Sequence, residues 1–230
     1  VDAAERDVLV AAAVADNVAW CDAVCRSLGL ATSRPPGLWA VAQPPPLFPH
    51  LITLAPQVTA ARVVSELDPR TVSWVKDSFA SLRLAQYGFS VVVQASWLHH
   101  TPGSADGDAN CSVVRPGDEL ARWTAASGTT GIIPARLLAD PAVRLVTVHK
   151  GGRPVGGAAL SISEGVVGIS NVFGAGASPD VTWEALVSAV GRLVPGRALV
   201  GYEQGEGLDA AMRAGFVSTG RLRIWLRPAP

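Results

Sequence analysis

Tyr202 and Glu203 end a β-like run, Arg197 to Glu203, and together they carry the chemistry to move a proton. A phenol can donate one and a carboxylate can accept one, directly or through water. The plainer reading makes Glu203 a solvated strand end and Tyr202 a half-buried aromatic. Asn171 lies on another β-like run, Val166 to Phe173, and offers an amide that binds substrate or satisfies a neighbouring strand. Behind that run, the loop Gly174-Ala175-Gly176-Ala177-Ser178-Pro179-Asp180 opens a helical pattern from Thr182 to Val190. Small residues allow close approach to the backbone. The first N–H groups of a helix lack intrahelical partners and sit at the positive end of its dipole, where negative charge is favoured. Asp180 works against that: its carboxylate opposes an anion, or as an N-cap occupies the free N–H groups. Trp183 adds bulk beside it.

The rest of the composition narrows the classes of function. Lys and Arg number 19, as do Asp and Glu, so no net field recruits nucleic acid or an anionic membrane. The apolar stretch Val8 to Trp20 is shorter than the roughly 20 residues of a bilayer span and carries Asp16 and Asn17. The acidic start, Asp2 to Asp7, suits neither a secretory signal nor an Arg-rich transit peptide, and a cytoplasmic protein with no membrane partner is expected. Cys21, Cys25 and Cys111 are too few for a disulfide framework. With no further ligand at zinc spacing, Cys21 and Cys25 are expected to be packed thiols on one helical face, and no metal site is expected.

Periodicity supplies the elements. Val10, Val14, Val18, Cys21, Val24, Cys25 and Leu28 recur at helical spacing, and Gly29 stops the helix. Strands are predicted over Leu38 to Ala42, Leu51 to Leu54, Val72 to Lys76 and Phe89 to Leu98, with short helices over Val58 to Leu67 and Leu82 to Ala85. The stretch 101–110, rich in Gly and small polar residues, reads as a linker. Beyond it come a strand, Cys111 to Val114, and helices over Asp118 to Ala126, with Asp118 as cap, and Ile132 to Ala139. Val143 to His149 and Pro154 to Ile162 flank the turn Lys150-Gly151-Gly152-Arg153, a hairpin signal. A helix from Leu208 to Ala214 and a strand ending Trp225-Leu226 finish the chain.

Two stretches share an order: strand, helix, Gly-Phe, strand ending Trp-Leu. Gly88-Phe89 precedes Trp97-Leu98, and Gly215-Phe216 precedes Trp225-Leu226; each Gly-Phe is expected to end a helix in a left-handed turn and send its ring into the core. The second stretch, strand-loop-helix-strand-helix-Gly-Phe-strand, resembles the acyl-CoA-binding half of the GCN5-related N-acetyltransferases (GNAT).

The resemblance implies an α/β (α+β) fold with a mixed, mostly antiparallel sheet flanked by helices. It also implies two GNAT-like units, a truncated one over 1–100 and a fuller one over 111–230. By the same resemblance acetyl-CoA is the cofactor, with Val172, Phe173, Gly174, Gly176, Ala177, Ser178, Asp180 and Gln204 at the cofactor-binding positions. The acceptor is the amine of a small molecule or peptide, beside Asn171. The family loop carries Gln or Arg, two residues, Gly, one residue, then Gly or Ala; here those positions fall near Ala177, Asp180 and Thr182, and none matches. The family's proton-donating Tyr, four residues before Gly-Phe, is Ala211, leaving Tyr202 and Glu203 as the nearest catalytic groups. Two functions follow: an N-acetyltransferase, or a fold kept for binding or assembly after cofactor affinity was lost. The loop after Leu54, Ala55-Pro56-Gln57, has no glycine, so the first unit is expected to bind no cofactor and either to cover the second unit's sheet or to wall a substrate cleft, with Trp20, Trp39 and Trp74 as candidate apolar anchors.

Overall fold

Successive strand residues point to opposite faces of a sheet, and here that alternation sorts the helices into two layers. The structure, a computed structural model, describes residues 2–101 and 109–229. The first stretch supplies α1 (Ala3–Ser27), β1 (Thr32–Ser33), β2 (Leu38–Val41), β3 (Leu51–Thr53), α2 (Ala60–Ser65), β4 (Ser73–Asp77) and β5 (Ser90–His100). The second supplies β6 (Asn110–Val113), α3 (Asp118–Ala126), β7 (Val143–Lys150), β8 (Arg153–Ile162), β9 (Val166–Gly174), α4 (Pro179–Leu193), β10 (Ala198–Glu203), α5 (Gly205–Arg213) and β11 (Val217–Arg227). Among the described residues these strands form one sheet, ordered β1-β2-β3-β4-β11-β5-β10-β9-β8-β7-β6. Only β3 with β4 and β9 with β10 run parallel, so the sheet is mixed and mostly antiparallel.

On one face Trp39 and Ile52 pack with Val24 and Cys25 of α1 and with Trp123 of α3. Residues one step along the same strands, Leu38 and Leu51, pack on the other face with Val63 of α2. That second layer continues with α4 and α5, where Leu186 and Ala211 cover Val167 and Leu199. The two Gly-Phe steps behave as expected: Gly88 and Gly215 take φ of 81° and 97°, and Phe89 and Phe216 are buried.

Helix α1 begins where the Asp2 carboxylate accepts from Glu5 N–H at 2.8 Å and ends at Gly29, whose φ is 74°. At 25 residues it is long and apolar enough to cross a membrane, longer than the Val8 to Trp20 stretch suggested, but most of that apolar surface is buried on the sheet. Polar residues share the buried stripe. Asp16 accepts from the Ser161 and Ser163 hydroxyls at 2.6 and 2.7 Å, tying α1 to the second stretch. Burial pushes its carboxyl above the ordinary value, while those hydroxyls and the Gly168 N–H pull it down. Cys21 and Cys25 are packed thiols, pushed by burial up to about 12 and about 11.

The strands on either side of the expected linker share one sheet among the described residues. Residues 102–108 of the expected linker lie outside the described residues, and the strands on either side of it do not form separate sheets. β5 of the first stretch pairs with β10 and β11 of the second, and β11 pairs with β4 of the first. Each stretch thus receives the other's last strand. Two long strands, with 11 residues each, satisfy one another's backbone and leave no edge at the centre. The two pairing patterns still correspond: β1, β2, β3, α2, β4, β5 follow the order of β7, β8, β9, α4, β10, β11. Smaller differences concern caps and short helices. Gly117 rather than Asp118 holds the cap position of α3, and the helices predicted over 82–85 and 132–139 are 3-10 turns at Ala85–Tyr87 and Ala135–Ala139.

Candidate active site

β9 and β10 pair only from Val166 with Ala198 to Ile169 with Gly201, then part. A bulge in β9 accounts for the parting. Gly157 of β8 faces Phe173 and Ala159 faces Ser170, so Ala158 alone opposes Asn171 and Val172. Asn171 absorbs the extra residue at φ 54°, a left-handed conformation that Asn tolerates better than most side chains. Such a bulge bends its strand and re-aims its side chains. At the last paired position a Cβ on Gly201 would lie 2.8 Å from the Ile169 carbonyl oxygen, so the strands separate directly after their closest approach.

A cavity of about 320 Å³ occupies this parting. Tyr202 faces the α1 side, with Val200 and Val14, its ring edge-on to Trp97 at 5.5 Å between centroids. Glu203, the next residue, faces α5. Both reach the cavity because β9 no longer lies beside them. Burial raises the Glu203 carboxyl above its ordinary value, against one hydrogen bond from Gln204 N–H at 3.3 Å. Gly207 makes room for that carboxylate, since a Cβ there would sit 2.9 Å from Glu203 Oε2. Lys76 of β4 enters from the first stretch. Its Nζ donates to Asn17 Oδ1 at 2.8 Å and to the Tyr202 hydroxyl at 3.3 Å, and lies 4.3 Å from the Tyr202 ring centroid. Asn17 and Trp20 of α1, with Phe48 of the Pro-rich loop, close the cavity on that side.

The loop behind β9 is arranged differently from its sequence reading. Ser178, not Asp180, is the N-cap of α4, and Pro179 takes the first helical position. Asp180 turns to Arg213 of α5, 2.6 Å away, so its charge is paired and it does not occupy the free N–H groups. Trp183 is buried, edge-on to Phe216, rather than standing beside the loop. The amides of Gly176, Ala177 and Asp180 have no partner among the described residues, whereas that of Ala175 donates to the Val155 carbonyl.

Of the residues singled out from sequence, Asn171, Val172, Tyr202, Glu203 and Gln204 meet at the cavity. Gly174, Gly176, Ala177, Ser178 and Asp180 form the adjoining loop and helix start. Phe173 is not among them: its side chain packs on Trp123, 5.4 Å between centroids, beside a separate hollow of about 760 Å³ under α3. That larger hollow is lined by the Arg115–Glu119 ion pair and by Phe173 but by no residue of β10, so the smaller cavity is the stronger site. Of the three expected anchors only Trp20 lines the cavity; Trp39 is buried against Asp22 and Trp74 is exposed. Sequence reading missed Lys76 and Asn17. One signal was available for Lys76: the chain uses lysine at only two positions against 17 arginines, and this one directly follows Trp74 and Val75 in a predicted strand.

No family model and no curated protein matches the sequence. Solved structures do match the fold. A GCN5-related N-acetyltransferase from Kribbella flavida superposes with a TM-score of 0.62 at 16% identity, over 95% of this chain and 96% of that one. A conserved protein of unknown function from Staphylococcus epidermidis gives 0.60 at 10% identity, over 86% and 93%. A protein from Novosphingobium aromaticivorans assigned to the GNAT family gives 0.53 at 13% identity, over 86% and 92%. The chain therefore has the GNAT fold.

Proposed function

We propose that this chain is an N-acetyltransferase that moves an acetyl group from acetyl-CoA to the amine of a small-molecule or peptide acceptor. One observation carries the reading: β9 and β10 part at a cavity, and the loop that follows β9 leads to α4, on the sheet face opposite α1, whose first amides are unpartnered among the described residues. Two reactants can therefore meet from opposite sides of the sheet, which is what a direct transfer requires.

The residues on the α4 side fit an acyl-CoA. The unpaired edge of β9 beyond Ile169 offers backbone groups to the cofactor's amide chain, and the amides of Gly176, Ala177 and Asp180 suit its phosphates. Gly174 keeps the path open, since a Cβ there would come 3.0 Å from the Ala177 carbonyl. Arg213 offsets the Asp180 carboxylate, the one feature opposing an anion. When bound, the cofactor supplies a thioester whose acyl carbon takes the amine, the C–N bond forming as the C–S bond breaks.

The chain's own groups handle the proton. Glu203, made more basic by burial, accepts a proton from the amine directly or through water. The Tyr202 hydroxyl accepts from Lys76, which leaves its own proton to donate towards the departing sulfur. Asn171, held by the bulge, presents its amide to the acceptor.

Titration calorimetry with acetyl-CoA, paired with a thiol-release assay over a panel of amines, tests the reading. Saturable binding and amine-dependent thiol release are expected. Absence of binding at millimolar acetyl-CoA overturns it in favour of a non-catalytic binding module.

A further inference from the structure

The cavity carries a charge that has no ion-pair partner among the described residues. Lys76 is 3% exposed, and among the described residues no carboxylate lies within 4.0 Å of its ammonium. Its partners, Asn17 and Tyr202, are neutral hydrogen-bond acceptors. The nearby Cys21 thiol, pushed up to about 12 by burial, supplies no counter-charge either. A buried ammonium without an opposite charge is expensive to maintain, and a ligand that brings the charge repays the cost. Across the same cavity stands Glu203, on the other face of β10. The cavity therefore presents a cation at one wall and a carboxylate at another, separated by more than an ion-pair distance.

Resting on the acetyltransferase reading of this site, we infer that the acceptor is a small amine carrying its own carboxylate, an amino-acid-type molecule whose carboxylate pairs with Lys76 while its amine reaches Glu203. A cavity of about 320 Å³ suits a small molecule rather than a folded partner. A single ammonium, with the side-chain amides of Asn17, Asn171 and Gln204, matches a monoanionic carboxylate; a phosphate dianion would call for more positive donors. In the transfer the amine nitrogen bonds to the acyl carbon and the C–S bond breaks. The amine proton passes to Glu203, and the released thiolate takes a proton from Tyr202.

The test compares thiol release from acetyl-CoA with the common amino acids, their decarboxylated amines, and phosphoethanolamine. We expect kcat/KM for the best amino acid to exceed that for its decarboxylated amine by at least about 30-fold, the loss typical of leaving a buried charge unpaired. Lys76→Met should collapse that ratio to about threefold or less. Calorimetric binding of the amino acid to the wild-type chain and to Lys76→Gln, each checked for native circular dichroism, reads the same contact without catalysis. Transfer to plain amines as fast as to amino acids, or a preference for phosphoethanolamine, overturns the inference while leaving the transferase reading intact. Lys76-dependent amino-acid binding with no transfer to any amine upholds the ligand class and overturns the transferase reading. Absence of both amino-acid binding and a preference for a carboxylate overturns the inference.

Discussion

Among the described residues two parallel strand steps share one topology, and they have opposite fates. β9 and β10 separate into a cavity, whereas β3 and β4 stay closed. At the closed step the Thr53 hydroxyl accepts from Ser78 N–H at 2.9 Å, stitching the two strand ends together just past their last paired residues. Asp77 then turns the chain by accepting from Ser81 and Leu82 N–H. At the open step no such stitch exists among the described residues, and the bulge at Asn171 carries β9 away. Crevices outside the carboxyl ends of parallel strands are natural ligand sites, and the difference shows that topology supplies the opportunity while a few side chains decide whether it is used. The closed step contributes in another way: its Lys76, one residue before Asp77, reaches into the open step's cavity.

Five substitutions would break or sharpen that contrast. The largest effect is expected from Glu203→Gln, which should lower amine-dependent thiol release by about 100-fold or more. The wild-type rate should rise with pH through a limb lying above the ordinary glutamate range, because the burial-raised carboxyl must be ionised to accept the proton; the variant should lack that limb. Next, Gly174→Val places a side chain against the Ala177 carbonyl and should weaken acetyl-CoA binding by about tenfold in calorimetry. Pro56→Gly, at the corresponding loop of the closed step, should leave that affinity unchanged.

A smaller change follows from Thr53→Val, which orphans the buried Ser78 N–H. Urea unfolding should report a loss of about 1–3 kcal/mol, with acetyl-CoA affinity retained. The smallest effect belongs to Asp180→Ala. Its ion pair with Arg213 is largely exposed, so stability should shift by less than about 1 kcal/mol, and acetyl-CoA should bind about twofold tighter once the carboxylate is gone. Weaker binding would show that Asp180 organises the loop rather than opposing its ligand.

Local elements were legible because their causes are local. Helical spacing and Gly29 marked α1, and φ-positive Gly151 and Gly152 gave the β7–β8 hairpin its turn. Tyr202 and Glu203 were visible as a phenol beside a carboxylate at a strand end, and Asn171 as a polar residue in an apolar strand. Their convergence was not. It depends on a bulge whose extra residue has no sequence signature in Ser170-Asn171-Val172, and on Lys76, which lies 126 positions from the hydroxyl it donates to.

The sequence by itself determined the strand and helix order, the Gly-Phe turns and the repeated pattern, since each follows from periodicity and backbone freedom within a short window. Only the tertiary structure decided that the last strands are exchanged, that Asp180 faces Arg213, and that a lysine and an asparagine from the first hundred residues complete the cavity. Those outcomes rest on pairing and burial between distant segments, where β5 and β11 satisfy each other's backbone and α1 lays its polar groups over the gap. No local pattern encodes which distant partner a strand edge or a buried charge will meet.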